Sequence, residues 1–222
     1  MKPWVAAAML MLAACAPPAE APAPAPVAHD APAGEYVLDP SHADLSFRVN
    51  HIGFSKYTAR FNAVDAVLQF DPAYPETMRV VATIEVRSLT LPAPPPGFTE
   101  EMLGPHWLDA AQFPQISFRS SDVERTGANT ARVHGDLTLH GVAKPITLEA
   151  TFNGGYAGHP LEPRARIGFS AHGSFKRADF GIALGVPAPR STMGVGDEVE
   201  VIIEAEFSGP PWAGAAAATQ NR

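Results

Sequence analysis

The chain has 222 residues, 46% of them hydrophobic, and sets 16 Lys and Arg against 23 Asp and Glu for a formal net charge of −7. That acidic excess, with no cluster of basic residues interleaved with aromatics, argues against nucleic acid and, more weakly, against anionic membrane surfaces as partners. Its one cysteine, Cys15, excludes an internal disulfide.

At the start of the chain, Lys2 precedes an apolar run from Trp4 to Met11, and Leu12, Ala13 and Ala14 lead into Cys15. The run is too short to span a bilayer and has the order of charge, apolar core and small residues of a secretion signal. It also resembles a bacterial lipoprotein signal, in which such a cysteine is acylated. Residues 1–14 are therefore expected to be a signal peptide and Cys15 the lipidation site; the alternative is an ordinary cleaved signal with a cysteine near its end. Acylation gives an unpaired exported thiol a purpose, because each buried methylene contributes about 0.8 kcal/mol to anchoring. Ala16 and Pro17 follow, without the Asp associated with inner-membrane retention, which points to the outer membrane, facing the periplasm. Residues 16–34 read APPAEAPAPAPVAHDAPAG. Proline at that density favours a stiff, solvated, extended conformer, so residues 15–34 are expected to be a lipidated cysteine and a tether.

From residue 35 to 208 the dominant signal is alternation with a period of two, the mark of a strand with one wet face. It begins with Leu45, Phe47, Val49 and His51, continues through Val64, Ala66, Leu68 and Phe70, and again through Val80, Ala82, Ile84 and Val86. A short run at Ile116 and Phe118 adds an eighth candidate to the seven long ones. Then come Ala131, Val133, Gly135, Leu137 and Leu139, followed by Ile146, Leu148, Ala150 and Phe152. Ile167, Phe169, Ala171, Gly173 and Phe175 form the next set. The last places Val199, Val201, Ile203, Ala205 and Phe207 opposite Glu198, Glu200, Glu204 and Glu206. The reading is an all-β domain whose seven or eight antiparallel strands bury their apolar faces by pairing two sheets or by closing into a barrel, the small inward residues pointing to the barrel. Gly135, Ala150, Ala171, Gly173 and Ala205 fall in the inward register, which fits a hollow lumen; a filled, tapering barrel is the alternative.

Between the third and fourth long patterns, prolines 92, 94, 95, 96, 105 and 114 exclude a central strand. Thr99 is the expected cap of a short helix with Glu100 and Glu101 in its first turn, and Pro105 the point where it breaks. Met102, Leu103, Trp107 and Leu108 give this insertion an apolar side to pack across an end of the barrel, or over the outside of the sheet. Asn153-Gly154-Gly155 and Gly127-Ala128-Asn129 read as hairpin turns. Residues 209–222, Ala-rich after Pro210 and Pro211, are expected to be disordered or a frayed helical turn.

No motif in the chain supports chemistry. The glycines form no phosphate loop, no serine sits in a nucleophile elbow, and the histidines are scattered without short ligand spacing. No catalytic, metal or cofactor site is assigned. His51 stands out because its parity places it with Leu45, Phe47 and Val49.

Four separated segments resemble the YceI-like family of exported bacterial proteins, also described as polyisoprenoid-binding or lipid-binding YceI domains. The opening YVLDPSHADLSFRVNHIGF carries that family's pattern at Leu38, Asp39, His42, Phe47, His51 and Gly53. FPQISFRSSDV carries it at Phe113, Pro114, Ile116, Phe118 and Ser120. VHGDLTLHGVAKPITL carries it at Gly135, Leu137, Thr138, Gly141, Val142, Lys144 and Pro145. KRADFGI carries it at Arg177, Asp179, Phe180, Gly181 and Ile182. The chain departs from the pattern at Ala43, Ala59 and Ala143 and through most of GPHWLDAAQFP, where Trp107 is positioned to reshape a pocket mouth.

The resemblance implies an extended lipocalin-like barrel of eight strands with a helical insertion near one end and an amphiphilic polyprenyl chain, or a quinone-like lipid, in the lumen. Parity selects Phe47, Val49, His51, Ile84, Phe118, Leu137, Phe152, Phe169 and Phe175 as its ligand-binding residues, and Trp107 joins them from the insertion at the pocket mouth. Asp39, His42, Arg177, Asp179, Phe180 and Gly181 are signature residues. Arg177 and Asp179 either pair with each other or brace the following turn, or else touch the ligand; Asp39 and His42 fasten the first strand at a rim. The function expected is binding, with carriage or storage, of a polyisoprenoid or similar lipid at the periplasmic side of the envelope. Two other classes stay open: a ligand-free envelope interaction or stress-response domain, and an enzyme of lipid or quinone precursors using His51 or His106. A homodimer is compatible with the sequence.

Overall fold

The computed structural model describes residues 25–214, so the expected signal peptide, Cys15, the first part of the expected tether and residues 215–222 lie outside the described residues. Strand β1 (Gly34–His51) is long enough to serve three neighbours, and the sheet closes through it. Along its length it pairs antiparallel with β10 (Val195–Pro211), from Val37 opposite Ser208 to His51 opposite Val195. On its other side residues 34–37 pair with β3 (Val64–Phe70), and residues 45–51 pair with β2 (Ser55–Phe61). From β3 the sheet continues through β4 (Arg79–Glu85), β6 (Gln115–Arg125), β7 (Thr130–Leu139), β8 (Val142–Tyr156) and β9 (Arg164–Lys176) back to β10. Eight antiparallel strands thus form a closed ring, which removes the unpaired edges an open sheet would expose. Strand β2 and the two-residue β5 (Leu89–Thr90) continue the wall alongside the second half of β1, toward the end where β1 finishes, the distal end. The end where β1 begins is the proximal end.

Strand β2 escapes the seven patterns read above although Tyr57, Ala59 and Phe61 alternate with Lys56, Thr58 and Arg60. The short Ile116 and Phe118 run belongs to an 11-residue strand, β6. The two inward glycines do not create the free volume expected of them. A Cβ on Gly135 would lie 2.6 Å from the Phe118 ring, and one on Gly173 would lie 2.8 Å from a Leu148 methyl. Both glycines let a neighbouring side chain lie flat against the wall; the open space belongs to Ala150, Ala171 and Ala205.

Each end is covered by chain outside the ring. Residues 25–33, expected as solvated tether, pack on the proximal end. The Asn129 side chain accepts from the Val27 N–H at 2.8 Å and donates to the Ala25 carbonyl at 3.0 Å, and Asp30 accepts from the Ala157 N–H at 2.8 Å. Ala31 is buried, and the His29 ring meets Phe152 at 4.9 Å between centroids. Proline supplies extension here, while Val27, His29 and Ala31 supply the apolar contacts that draw the segment onto the barrel. The tail differs from expectation too: β10 runs on to Pro211, and the Trp212 N–H bonds to the Pro163 carbonyl.

The distal end is covered by residues 91–114. Helix α1 (Phe98–Met102) is capped by Gly97 in the left-handed region, φ 80°, not by Thr99, which lies within the helix. Glu100 and Glu101 occupy its first turn as expected. Leu103, Trp107 and Leu108 turn inward against Ile84, Leu137 and Phe180.

Tyr36 anchors the proximal core. It is fully buried, its hydroxyl donates to the Pro32 carbonyl at 2.8 Å, and burial pushes its pKa up to about 12. Its ring fills the space a side chain at Gly209 would need. Tyr36→Ala is expected to lower unfolding free energy by about 3–5 kcal/mol in urea titrations. Gly209→Ala is expected to lower it through overlap with the ring, and a neutral result for both would contradict this packing.

Candidate functional site

The inward face of the ring encloses a cavity of about 930 Å³ that runs lengthwise between the ends. Small-molecule sites span roughly 300–1,000 Å³, so this one lies near the top of the range. Of the side chains expected to line it, Phe47, Val49 and His51 come from β1, Ile84 from β4, Phe118 from β6 and Leu137 from β7. Phe152 comes from β8, Phe169 and Phe175 from β9, and Trp107 from the insertion. All ten border the cavity: the nine on strands because one strand register commits alternate residues to one face, and Trp107 because the insertion folds over the distal end. His51 is exposed at the distal rim, and His106 is exposed and does not border the cavity.

The wall is aliphatic and aromatic through its middle. Proximally, Phe70, Phe152 and Phe169 form a belt with centroid separations of 5.3 to 6.5 Å, edged by His29 and by Phe207. The cavity reaches exposed residues at both ends: Pro26, Arg79 and Arg125 proximally, and His51, Pro94 and Pro95 distally.

Arg177 brings a buried charge to the distal wall, 4% exposed. Its guanidinium donates to the carbonyls of Gly196 at 2.9 Å, Ile182 at 2.7 Å and Val195 at 2.8 Å. The same group lies 5.2 Å from the centre of the Trp107 ring. Burial pushes its pKa down and the Asp197 carboxylate opposes that, but a guanidinium stays charged. Arg177 braces the turn and forms no ion pair with Asp179, which is exposed. Phe180 packs edge-on against Phe175, and its carbonyl is within hydrogen-bond distance of His140 Nδ1. Gly181 takes φ 81°, closing the 3-10 turn.

Asp39 and His42 lie at the irregularity in β1–β10 pairing between Leu38 and Ala43, and neither borders the cavity. Asp39 accepts from Arg166, His42 and the Ser41 N–H, in that order of effect, which holds its carboxyl well below the usual carboxylate range.

Sequence reasoning missed Tyr57 and Phe61 on β2 and the strap at Pro92, Pro94 and Pro95, all of which line the cavity. It also missed His29. The period-two signal in β2 was present in the sequence; the strap and His29 had no such signal, since proline-rich chain reads as solvated wherever it lies. Two buried polar atoms lack a hydrogen-bond partner among the described residues, His29 Nδ1 and Trp107 Nε1. Each sits on a segment covering one end of the barrel.

The YceI-like domain family matches residues 36–207. A curated relative, a UPF0312 protein of Pseudomonas savastanoi, is 36% identical over 157 residues, covering 70% of this chain and 80% of the relative. Among solved structures, BcnA of Burkholderia cenocepacia superposes with a TM-score of 0.65 at 25% identity, over 76% of this chain and 98% of that one. A polyisoprenoid binding domain from Saccharophagus degradans superposes with a TM-score of 0.57 at 16% identity, over 79% and 98% respectively, and so shares the fold.

The Asp39 cluster gives a signed pH dependence. Because folding depresses this carboxyl, its contribution is fully present above the unfolded value near 4 and is lost as pH falls through the lower folded value. Asp39→Asn is expected to flatten the acid limb of the stability profile relative to the parent, measured by thermal melts below about pH 4; parallel acid limbs would contradict the assignment.

Proposed function

The chain belongs to the YceI-like domain family, and from that membership and its cavity we propose that it binds a polyisoprenoid or similar long amphiphilic lipid in the barrel lumen. The observation that carries the reading is an apolar space of about 930 Å³ running along the barrel axis, with His51, Arg79, Arg125 and Arg177 toward its ends. A hydrocarbon chain leaving water gains about 0.8 kcal/mol per methylene, so one five-carbon unit contributes up to about 4 kcal/mol before ordering costs. Micromolar affinity corresponds to roughly 8 kcal/mol, within reach of a few such units. The ring belt of Phe70, Phe152 and Phe169 suits the flat, branched surface of a prenyl chain, and Ala150, Ala171 and Ala205 leave the width for it. The Saccharophagus degradans domain, described as polyisoprenoid binding, has the same fold. Carriage or storage of the lipid, lipidation at Cys15 and a place at the periplasmic face of the outer membrane complete the proposal. The signal-like start of the chain supports the export part of it.

Protein purified without delipidation should release a long-chain lipid into organic solvent, identified by mass spectrometry. Ala150 and Ala171 face each other across β8 and β9, and the double change Ala150→Phe, Ala171→Phe should keep the β circular dichroism signal while cutting retained lipid at least about tenfold. Lipid-free parent protein, or a variant that retains as much lipid as the parent, would refute the reading. Expression with a labelled fatty acid should mark the parent chain and not Cys15→Ala; equal labelling of the two would remove the anchor from the proposal.

A further inference from the structure

Isolated exposed apolar side chains are ordinary on a protein surface, but several on adjoining loops mark a contact surface. At the distal end Phe54 is 86% exposed, Met193 73% and Leu184 48%. Their loops are fastened to one another. The Ile52 N–H donates to the Gly194 carbonyl at 2.9 Å, and the Val195 N–H to the Gly185 carbonyl at 2.9 Å. A Cβ on Gly53 would meet Thr192 at 3.0 Å. The turn carrying Phe54 is braced as well, by the Gly53 N–H to Asn50 Oδ1 at 2.7 Å and by the Phe54 N–H to the His51 carbonyl at 3.0 Å. These apolar side chains are held outward on fixed backbone.

The charge of these loops departs from that of the chain. Residues 51–58, 91–98 and 181–195 contain no Asp or Glu, although the whole protein carries a net charge of −7. They contain Lys56, which pairs with Glu200, and Arg190, which is exposed and has no ion pair among the described residues. Carboxylates flank these loops: Glu100, Glu101 and Asp109 in the insertion, Asp179 in the turn before Gly181, and Asp197, Glu198 and Glu200 in β10. The overall acidity that argued against anionic membranes is therefore absent from these loops. Apolar tips beside an unpaired cation combine the two contributions that hold a protein at a lipid interface, apolar burial and attraction to anionic headgroups.

We propose that the distal end is a membrane-docking tip. Phe54, Leu184 and Met193 enter the interfacial layer of an anionic bilayer while Arg190 meets lipid phosphates. Docking in this pose sets the part of the cavity bordered by His51, Pro94 and Pro95 against the lipid surface. The bearing of docking on lipid loading rests on the function proposed above; docking itself does not, and solvent extraction tests that function separately.

The test uses the full chain carrying Cys15→Ser, so that an added cysteine is the single labelling site. A nitrobenzoxadiazole label is placed by Thr192→Cys at the tip or by Leu161→Cys, which is 90% exposed near the proximal end beside Arg164. With vesicles of equal parts phosphatidylcholine and phosphatidylglycerol, the label at 192 should shift to the blue and brighten, and the label at 161 should not. Adding Phe54→Ser and Met193→Ser to the chain labelled at 192 should weaken vesicle binding at least about tenfold, since each change removes apolar area that docking takes out of water. No change at 192, equal changes at both sites, or an undiminished response in the serine variant would overturn the proposal. A shift at 192 that grows with protein concentration without vesicles would assign the tip to a second copy of the chain and overturn it equally.

Discussion

Closure of the sheet through one long strand is the constraint from which the rest of the molecule follows. Strand β1 meets β10 along its length, β3 near its start and β2 near its finish, so the same strand completes the ring and carries the wall beyond it. Once the ring is closed, a period of two leaves each side chain two destinations, water or lumen. The apolar set of every strand is thereby committed to a common interior. Eight strands set the width of that interior, and the side chains then decide whether it is filled. Rings at Phe118, Phe152 and Phe169 take part of the space, and alanines at 150, 171 and 205 leave the remainder.

A hollow barrel needs its ends managed, and the two ends are managed differently. The proximal end is covered by an N-terminal segment held largely through side chains, with Asn129 clasping Val27 and Ala25. The distal end is covered by an insertion with its own internal backbone bonds and a cation stacked on Trp107. Both covers bury a polar nitrogen without a partner, on His29 and on Trp107, and such a group costs about 1–3 kcal/mol when sealed from water.

Legibility in the sequence followed periodicity closely. Strands with one wet face announced themselves, and with them came inward residues, nine of which border the cavity as expected. Strand β2 carried the same signal through Tyr57, Ala59 and Phe61, but with three apolar positions where the patterns of β3 and β4 offer four, and directly after a tight turn. What periodicity does not encode was lost. Gly135 and Gly173 read as empty space because the sequence does not say that Phe118 and Leu148 lean over them. Residues 25–33 read as solvated because proline density describes backbone stiffness and not what the intervening Val27, His29 and Ala31 touch. Arg177 was legible as a brace, yet its place on the cavity wall depends on a turn that returns the chain after β9.

The central claim is that this lumen holds a lipid chain. It is tested most directly by crystallographic electron density for protein purified under conditions that leave bound lipid in place. The account predicts one continuous, elongated feature running from the Phe152 and Phe169 rings toward Trp107. Discrete water peaks along that path, or a wall collapsed until the rings meet, would contradict it.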